Sequence, residues 1–196
     1  APSYASSVGV VTKISLARED KETTAPTVGI NVMTMSFDID TTGKDVAPGD
    51  TFTIQIPPEL KVISDSGSST LNFSMLNDDK VPVVDCSVPA GEGVSMTCTF
   101  GEYARDHHSI IGHGTVRTKA VHATTSSTVS FPVNGTAVIV DLPGGSISGT
   151  YERILRNTQK WGQPKQGDSS RIIWEIDIKG SQLPEGATAV EIVDTF

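Results

Sequence analysis

The chain has 196 residues, a formal net charge of −8 at pH 7, 37% hydrophobic residues, 6% aromatic and 19% charged. It carries 43 Ser or Thr but only seven Leu, which argues against a helical bundle or coiled coil and, with its Val and Ile, for strands. The acidic balance disfavours nucleic acid and anionic membrane as partners, and no apolar run approaches the roughly 18 residues of a membrane helix, so no membrane insertion is expected.

Length suggests one large domain, or one domain and part of a second. Ala1-Pro2-Ser3-Tyr4 shows no basic stretch followed by an apolar one, so a signal peptide is expected to be absent or already removed. In chain order, Val8, Val10, Thr12, Ile14 and Leu16 alternate with polar or small residues and predict a half-buried strand. Residues 30–39 predict a second strand, and 51–56 a third that ends at Pro57-Pro58, because proline cannot donate to a ladder. Asp38, Asp40 and Gly43 resemble the opening of a calcium loop, but the twelfth position is Gly49 rather than an acid, so an exposed turn is the better reading.

The segment 84–100 folds on itself about Glu92. Val84 then faces Phe100, Cys86 faces Cys98 and Val88 faces Met96, all apolar; Asp85 with Thr99 and Ser87 with Thr97 make the polar face. Directly opposed strand residues lie within disulfide reach, so a Cys86–Cys98 bond is expected, and with it an oxidising location. Two buried free thiols are the other reading. Glu102, Asp106, His107, His108 and His113 cluster along the chain but match no tight ligand spacing, and polar surface is the better account. Residues 114–123 predict a further strand; 128–133 and 136–140 predict two more, joined by Asn134-Gly135, which suits the positive φ angles of a two-residue hairpin turn. No long amphipathic helix is found. Seven or more short strands in about 140 residues indicate an all-β, antiparallel β-sandwich over residues 1–141.

Composition then shifts. Residues 142–149 are of linker type, rich in Gly, Ser and Pro. Residues 150–196 hold about three strands: one within 151–160, a strong one at 171–178 and one at 189–193. Three strands cannot close a sandwich, so this second lobe is expected to be incomplete and the natural chain to continue. The 171–178 strand puts Ile172, Trp174, Ile176 and Ile178 on one face, and is expected to cover it by strand addition to the first lobe or to a neighbouring molecule. No nucleophile elbow or phosphate loop is present, no pair of carboxylates stands out as acid and nucleophile, and no metal, cofactor or enzymatic activity is expected. Residues 183–186 lack the Thr of a wall-sorting signal. Asn72 and Asn134 lie in glycosylation sequons, meaningful only in a eukaryotic source.

The run Asp45 to Pro57, with Gly49-Asp50-Thr51-Phe52 at its centre, resembles a strand of the wall-anchored, immunoglobulin-like adhesins of Gram-positive bacteria. The likeness continues through 97–101, 112–116, Asn134-Gly135, Lys160-Trp161-Gly162 and 174–178. It implies one complete immunoglobulin-like lobe and the opening strands of a second, of the collagen- or fibrinogen-binding type. The cysteine hairpin looks more like actinobacterial members, and the Pro48-Gly49-Asp50-Thr51-Phe52 run with paired cysteines also resembles fungal agglutinin-like adhesins. The resemblance further implies Lys–Asn isopeptide chemistry, in which a buried lysine made neutral attacks an amide beside an acid made protonated. Lys13, Asp38 and Asn134 have suitable spacing, but Asn134 reads better as a turn. Lys160 and Asp194 match the lysine and acid of the second lobe, whose Asn partner is missing from the chain, so no bond is expected.

Two functions follow from the resemblance. The first is an extracellular adhesin lobe, at the cell surface or wall, that grips a host matrix or plasma protein, or a glycan, in a groove between lobes near 142–149. The second is a structural pilin or stalk lobe that spaces a binding tip from the wall.

Overall fold

The structure is a computed structural model that describes residues 5–149, 158–183, 185–186, 189 and 191–193. It divides into two compact units, Ala1–Tyr151 and Glu152–Phe196.

In the first unit, strands β1 (Val11–Arg18), β2 (Val32–Asp40), β3 (Thr51–Gln55), β4 (Leu60–Val62), β5 (Thr70–Leu76), β6 (Pro82–Pro89), β7 (Gly91–Glu92), β8 (Ser95–Phe100), β9 (Ile111–Ala120), β10 (Thr128–Val133) and β11 (Thr136–Asp141) follow in order, with one helical turn, α1 (Tyr103–Asp106), before β9. All ladders among them are antiparallel, and the order is β1-β2-β9-β5-β6-β8-β3-β10-β11, with β4 beside β9 and β7 beside β4. The two outer strands, β1 and β11, approach each other, so the sheet folds over on itself and nearly closes. Such closure hides strand edges that would otherwise be free to pair.

The period of two explains the core. Met33, Met35, Phe37 and Ile39 alternate along β2 and are all fully buried. Buried with them in one core are Val84, Cys86 and Val88 of β6, Met96, Cys98 and Phe100 of β8, Phe52 and Ile54 of β3, and Phe131 of β10. Phe52 meets Phe100 with ring centroids 6.1 Å apart, and Phe37 meets Phe73 edge-on at 6.3 Å. Strand β9 pairs with β2 over residues 111–119, beginning at Asp40↔Ile111, three residues earlier than the sequence suggests. Gly112 and Gly114 look like strand breakers but act as space: a Cβ on Gly114 would fall 2.5 Å from the Phe37 ring. The first strand departs from simple alternation because the β1 register shifts between Val11 and Lys13; Thr12 is turned to solvent while Ile14 stays buried.

The segment expected as a linker, 142–149, is fastened to the first unit. Leu142 and Ile147 are core side chains, 5% and 2% exposed. Ile147 bridges Thr124, and Ser148 bridges Thr27. Its glycines serve a tight helical turn, with Gly144 and Gly145 both at positive φ, rather than a flexible spacer.

The second unit is a hairpin of β12 (Gln159–Lys165) and β13 (Asp168–Asp177). The 171–178 strand, expected to pair by strand addition, has a ladder partner within its own unit: the chain turns at Gln166-Gly167, where Gly167 has φ +81, and β12 runs back beside β13. Residues 189 and 191–193, expected in a third strand, belong to no strand.

Candidate functional site

Strands β5 and β9 are neighbours that hardly touch. Among the described residues their ladder consists of one pair, Leu76↔His113. Beyond it the two strands diverge, because β9 turns to pair with β4 from Thr118 onward while β5 follows β6. Among the described residues, the facing edges at 70–75 and 114–116 therefore carry no ladder partner on this side, and a groove opens between them. Leu71, Phe73 and Val116 give it an apolar lining, and the loop 63–68 forms its rim. In that loop the Ser64 and Ser66 hydroxyls lie 3.1 Å apart and those of Ser66 and Ser68 2.8 Å apart.

One cation holds the open end. Arg117 donates from Nε and Nη2 to both Glu19 oxygens at 2.8 Å and also pairs with Asp65 of the rim. These hydrogen bonds, the Glu19 one first, hold the guanidinium charged beyond its usual range. The closed end is His113. Its Nδ1 lies 2.8 Å from Asp38 Oδ1 and its Nε2 lies 2.9 Å from Asp78 Oδ1. The hydrogen bonds to Asp38 and then to Asp78 raise its pKa above the ordinary imidazole value.

The other residues singled out by the sequence fall as follows. Cys86 and Cys98 are a disulfide with Cα atoms 4.0 Å apart, in the expected register Val84↔Phe100, Asp85↔Thr99, Cys86↔Cys98, Ser87↔Thr97. Asn134 and Gly135 form the hairpin tip with φ +47 and +81. The Asn134 amide is engaged at both ends: its Oδ1 accepts the Thr53 N–H at 2.9 Å and its Nδ2 donates to the Val8 carbonyl at 2.9 Å. Lys13 sits opposite Asp38 in the β1–β2 ladder and is exposed, so the burial that isopeptide chemistry needs is missing there. Lys160 lies on β12 with its Nζ 4.4 Å from the Trp174 ring centroid; Asp194 lies outside the described residues. The histidines separate: His107 stacks on Tyr103 with centroids 3.7 Å apart, and the two carboxylates at His113 occupy opposite ring nitrogens, so they do not converge on one point. No group of three metal-ligating side chains occurs among the described residues. Asp40 caps its own turn through the Thr42 N–H at 2.8 Å. Asn72 is exposed on β5.

Sequence reasoning passes over the groove altogether. The alternation of Leu71, Phe73 and Met75 with Asn72 and Ser74 is the signal that marks β5; the gap beside it has no local signal, since its other wall lies about 40 residues away.

These features define an all-β, antiparallel, immunoglobulin-like sandwich locked by one cross-strand disulfide. Residues 29–129, just over half of the chain, match the family model for the bacterial Ig domain, and the chain belongs to that family. Among solved structures it is similar to the collagen adhesin CNA of S. aureus, at 13% identity over 91% of this chain and 55% of that one, with a TM-score of 0.46. It is similar to the serine-rich repeat protein Srr2 of Streptococcus agalactiae, at 14% identity over 81% and 50%, with a TM-score of 0.51. The Srr1 serine-rich repeat adhesion glycoprotein of the same species matches at 15% identity over 76% and 50%, with a TM-score of 0.46. The chain spans about half the length of each of these structures, and the Srr2 match speaks for the fold. No curated protein matches the sequence.

Proposed function

We propose that this chain is an extracellular adhesin lobe that binds a host matrix or plasma protein, and that the ligand-binding groove is the gap between β5 and β9. The observation that carries the reading is the pair of unpaired strand edges flanking an apolar floor of Leu71, Phe73 and Val116. An extended polypeptide laid there would satisfy backbone groups on both sides and bury alternate side chains. The buried disulfide supports a location outside the reducing cytoplasm, and the sequence resemblance to wall-anchored adhesins supports the cell surface. The hollow beside 142–149 suits a ligand less well, because its strands are already bridged through Ile147 and Ser148. The test is surface binding of the purified chain to immobilised collagen, fibrinogen and a glycan panel, with Thr115→Trp as the variant that fills the groove. Saturable binding to a protein, lost in Thr115→Trp while thermal unfolding is unchanged, is the expected result; binding unaffected by that variant removes the groove from the reading.

A second reading, a pilin or stalk lobe, is favoured by how the ends of the first unit are fastened. Residues 6–8 run beside β3, with a parallel bridge Ser7↔Thr51, and the buried Asp50 carboxylate accepts the Ser6 and Ala47 N–H groups at 2.8 and 2.9 Å. At the other end Ser148 bridges Thr27 in parallel. A lobe pulled through such ends is loaded along its ladders. A well-folded chain that binds nothing in the panel speaks for this role.

A further inference from the structure

We propose that His113, held as the imidazolium between Asp38 and Asp78, is an acid-favoured clasp that fixes the separation of β5 and β9 at the closed end of their groove. A carboxylate oxygen only accepts hydrogen bonds, and a neutral imidazole has a single N–H to give. With carboxylates at 2.8 Å from Nδ1 and 2.9 Å from Nε2, both contacts are hydrogen bonds only when both ring nitrogens are protonated.

The two contacts do different work. Asp38 is the register partner of His113 across the β2–β9 ladder, so that bond lies within one sheet. Asp78 belongs to the turn 77–80 that leads from β5 into β6. This turn is stiff: Asn77 Oδ1 accepts the Val81 N–H at 2.8 Å, the Lys80 N–H reaches the Asn77 carbonyl at 3.0 Å, and Lys80 has φ +65. The bond from Nε2 to Asp78 therefore crosses the joint that the ladder secures at Leu76↔His113 alone. Among the described residues, one ladder pair and one charged hydrogen bond join β5 to β9 at this end.

The charges around the ring set the direction of the response. Across β2, Asp38 is opposite Lys13 of β1, and Asp40 lies two residues on. The turn adds Asp79 and Lys80 to Asp78. Strand β9 carries Arg117 four residues on, already occupied by Glu19 and Asp65, and the segment before β9 carries Asp106, His107 and His108. The Asp38 and Asp78 hydrogen bonds raise the His113 pKa, so the clasp is fully formed below the ordinary imidazole value and is lost as pH rises through the raised one. The neutral ring keeps one partner. Asp38, in ladder register, stays beside it; Asp78, 82% exposed, is the one released, and the two carboxylates no longer share a cation.

Any effect on ligand binding rests on the groove being the binding site; the clasp itself does not. The test is an NMR titration of the whole chain that follows the His113 ring nitrogens and the backbone amides of 71–75 and 114–116, with Asp78→Asn as the variant. The expected result is a His113 midpoint above the ordinary imidazole value, amides of both strands moving at that midpoint, and in Asp78→Asn a lowered midpoint with β5 amides that no longer follow it. A His113 midpoint at or below the ordinary imidazole value, or β5 amides indifferent to it, overturns the clasp. A clasp that titrates as expected in a chain that binds nothing in the panel leaves the clasp in place and removes only the groove's ligand.

Discussion

Two strand pairs in this protein make the same local arrangement, an aromatic ring laid across the glycine opposite it. In the first unit Phe37 of β2 covers Gly114 of β9. In the second, Trp174 of β13 covers Gly162 of β12, where an added Cβ would fall 2.7 Å from the indole. The surroundings differ. Phe37 is fully buried, with Phe73 on its edge, whereas Trp174 is 50% exposed and has the Lys160 ammonium over its ring. The comparison teaches that the ring-on-glycine pairing is a feature of the strand pair, and that its contribution to stability comes from what covers it. A two-stranded hairpin with Ile172 and Ile173 about half exposed has little apolar burial to draw on.

The sharpest way to break that comparison is Phe37→Ala. Loss of a fully buried phenylalanine is expected to cost about 3–5 kcal/mol in denaturant unfolding of the first unit; a cost below 1 kcal/mol would mean that Gly114 and Phe73 collapse into the space. Reduction of Cys86–Cys98 comes next. The bond closes a short loop, and opening it is expected to remove about 3 kcal/mol, read as a fall in thermal stability in the presence of reductant. If reduction leaves the unfolding midpoint in place, the β6–β8 register is held by packing of Val84, Val88, Met96 and Phe100 alone. Gly114→Ala tests the space itself: a methyl group pushed into the Phe37 ring is expected to cost about 1–3 kcal/mol, and a neutral result would show that the ring can step aside. The smallest effect is expected from Trp174→Ala, which should leave unfolding of the first unit within about 0.5 kcal/mol of the parent, as measured by circular dichroism. A large loss there would show that the hairpin and the sandwich unfold as one.

Much of the first unit is legible in the sequence, because its signals are local. The cysteine register follows from counting outward from Glu92 along two alternating strands, and the β10–β11 turn follows from Asn134-Gly135. What escapes is of three kinds. Strands of two or three residues, β4 and β7, are too short to show a period. Residues 142–149 have the composition of a linker, and only the places of Leu142 and Ile147 in the core show otherwise. The walls of the β5–β9 groove lie about 40 residues apart and the His113 clasp joins residues 35 and 75 positions apart, and nothing in a single sequence connects Asp38 or Asp78 to His113. In the second unit Gln163, Pro164 and Gln166 have the composition of a loop, which hides the run of β12 to Lys165 beside β13.

Asn134 bears on how the protein ages. An Asn followed by Gly is the pair most open to spontaneous loss of ammonia, in which the glycine nitrogen attacks the side-chain carbonyl carbon and closes a five-membered ring. Here that carbonyl accepts from Thr53 while its amide nitrogen donates to Val8, so the side chain is held by two bonds that ring closure has to break. The folded lobe should protect the site and the unfolded chain should not. Mass analysis of the peptide around residue 134 after long incubation should find the amide intact in the folded sample and converted to acid in the denatured one; equal conversion in both would show that the turn opens on its own. The tie from Asn134 to Thr53 and Val8 would then also be a clock: once converted, the side chain has no N–H for Val8, and residues 6–8 lose one of their anchors.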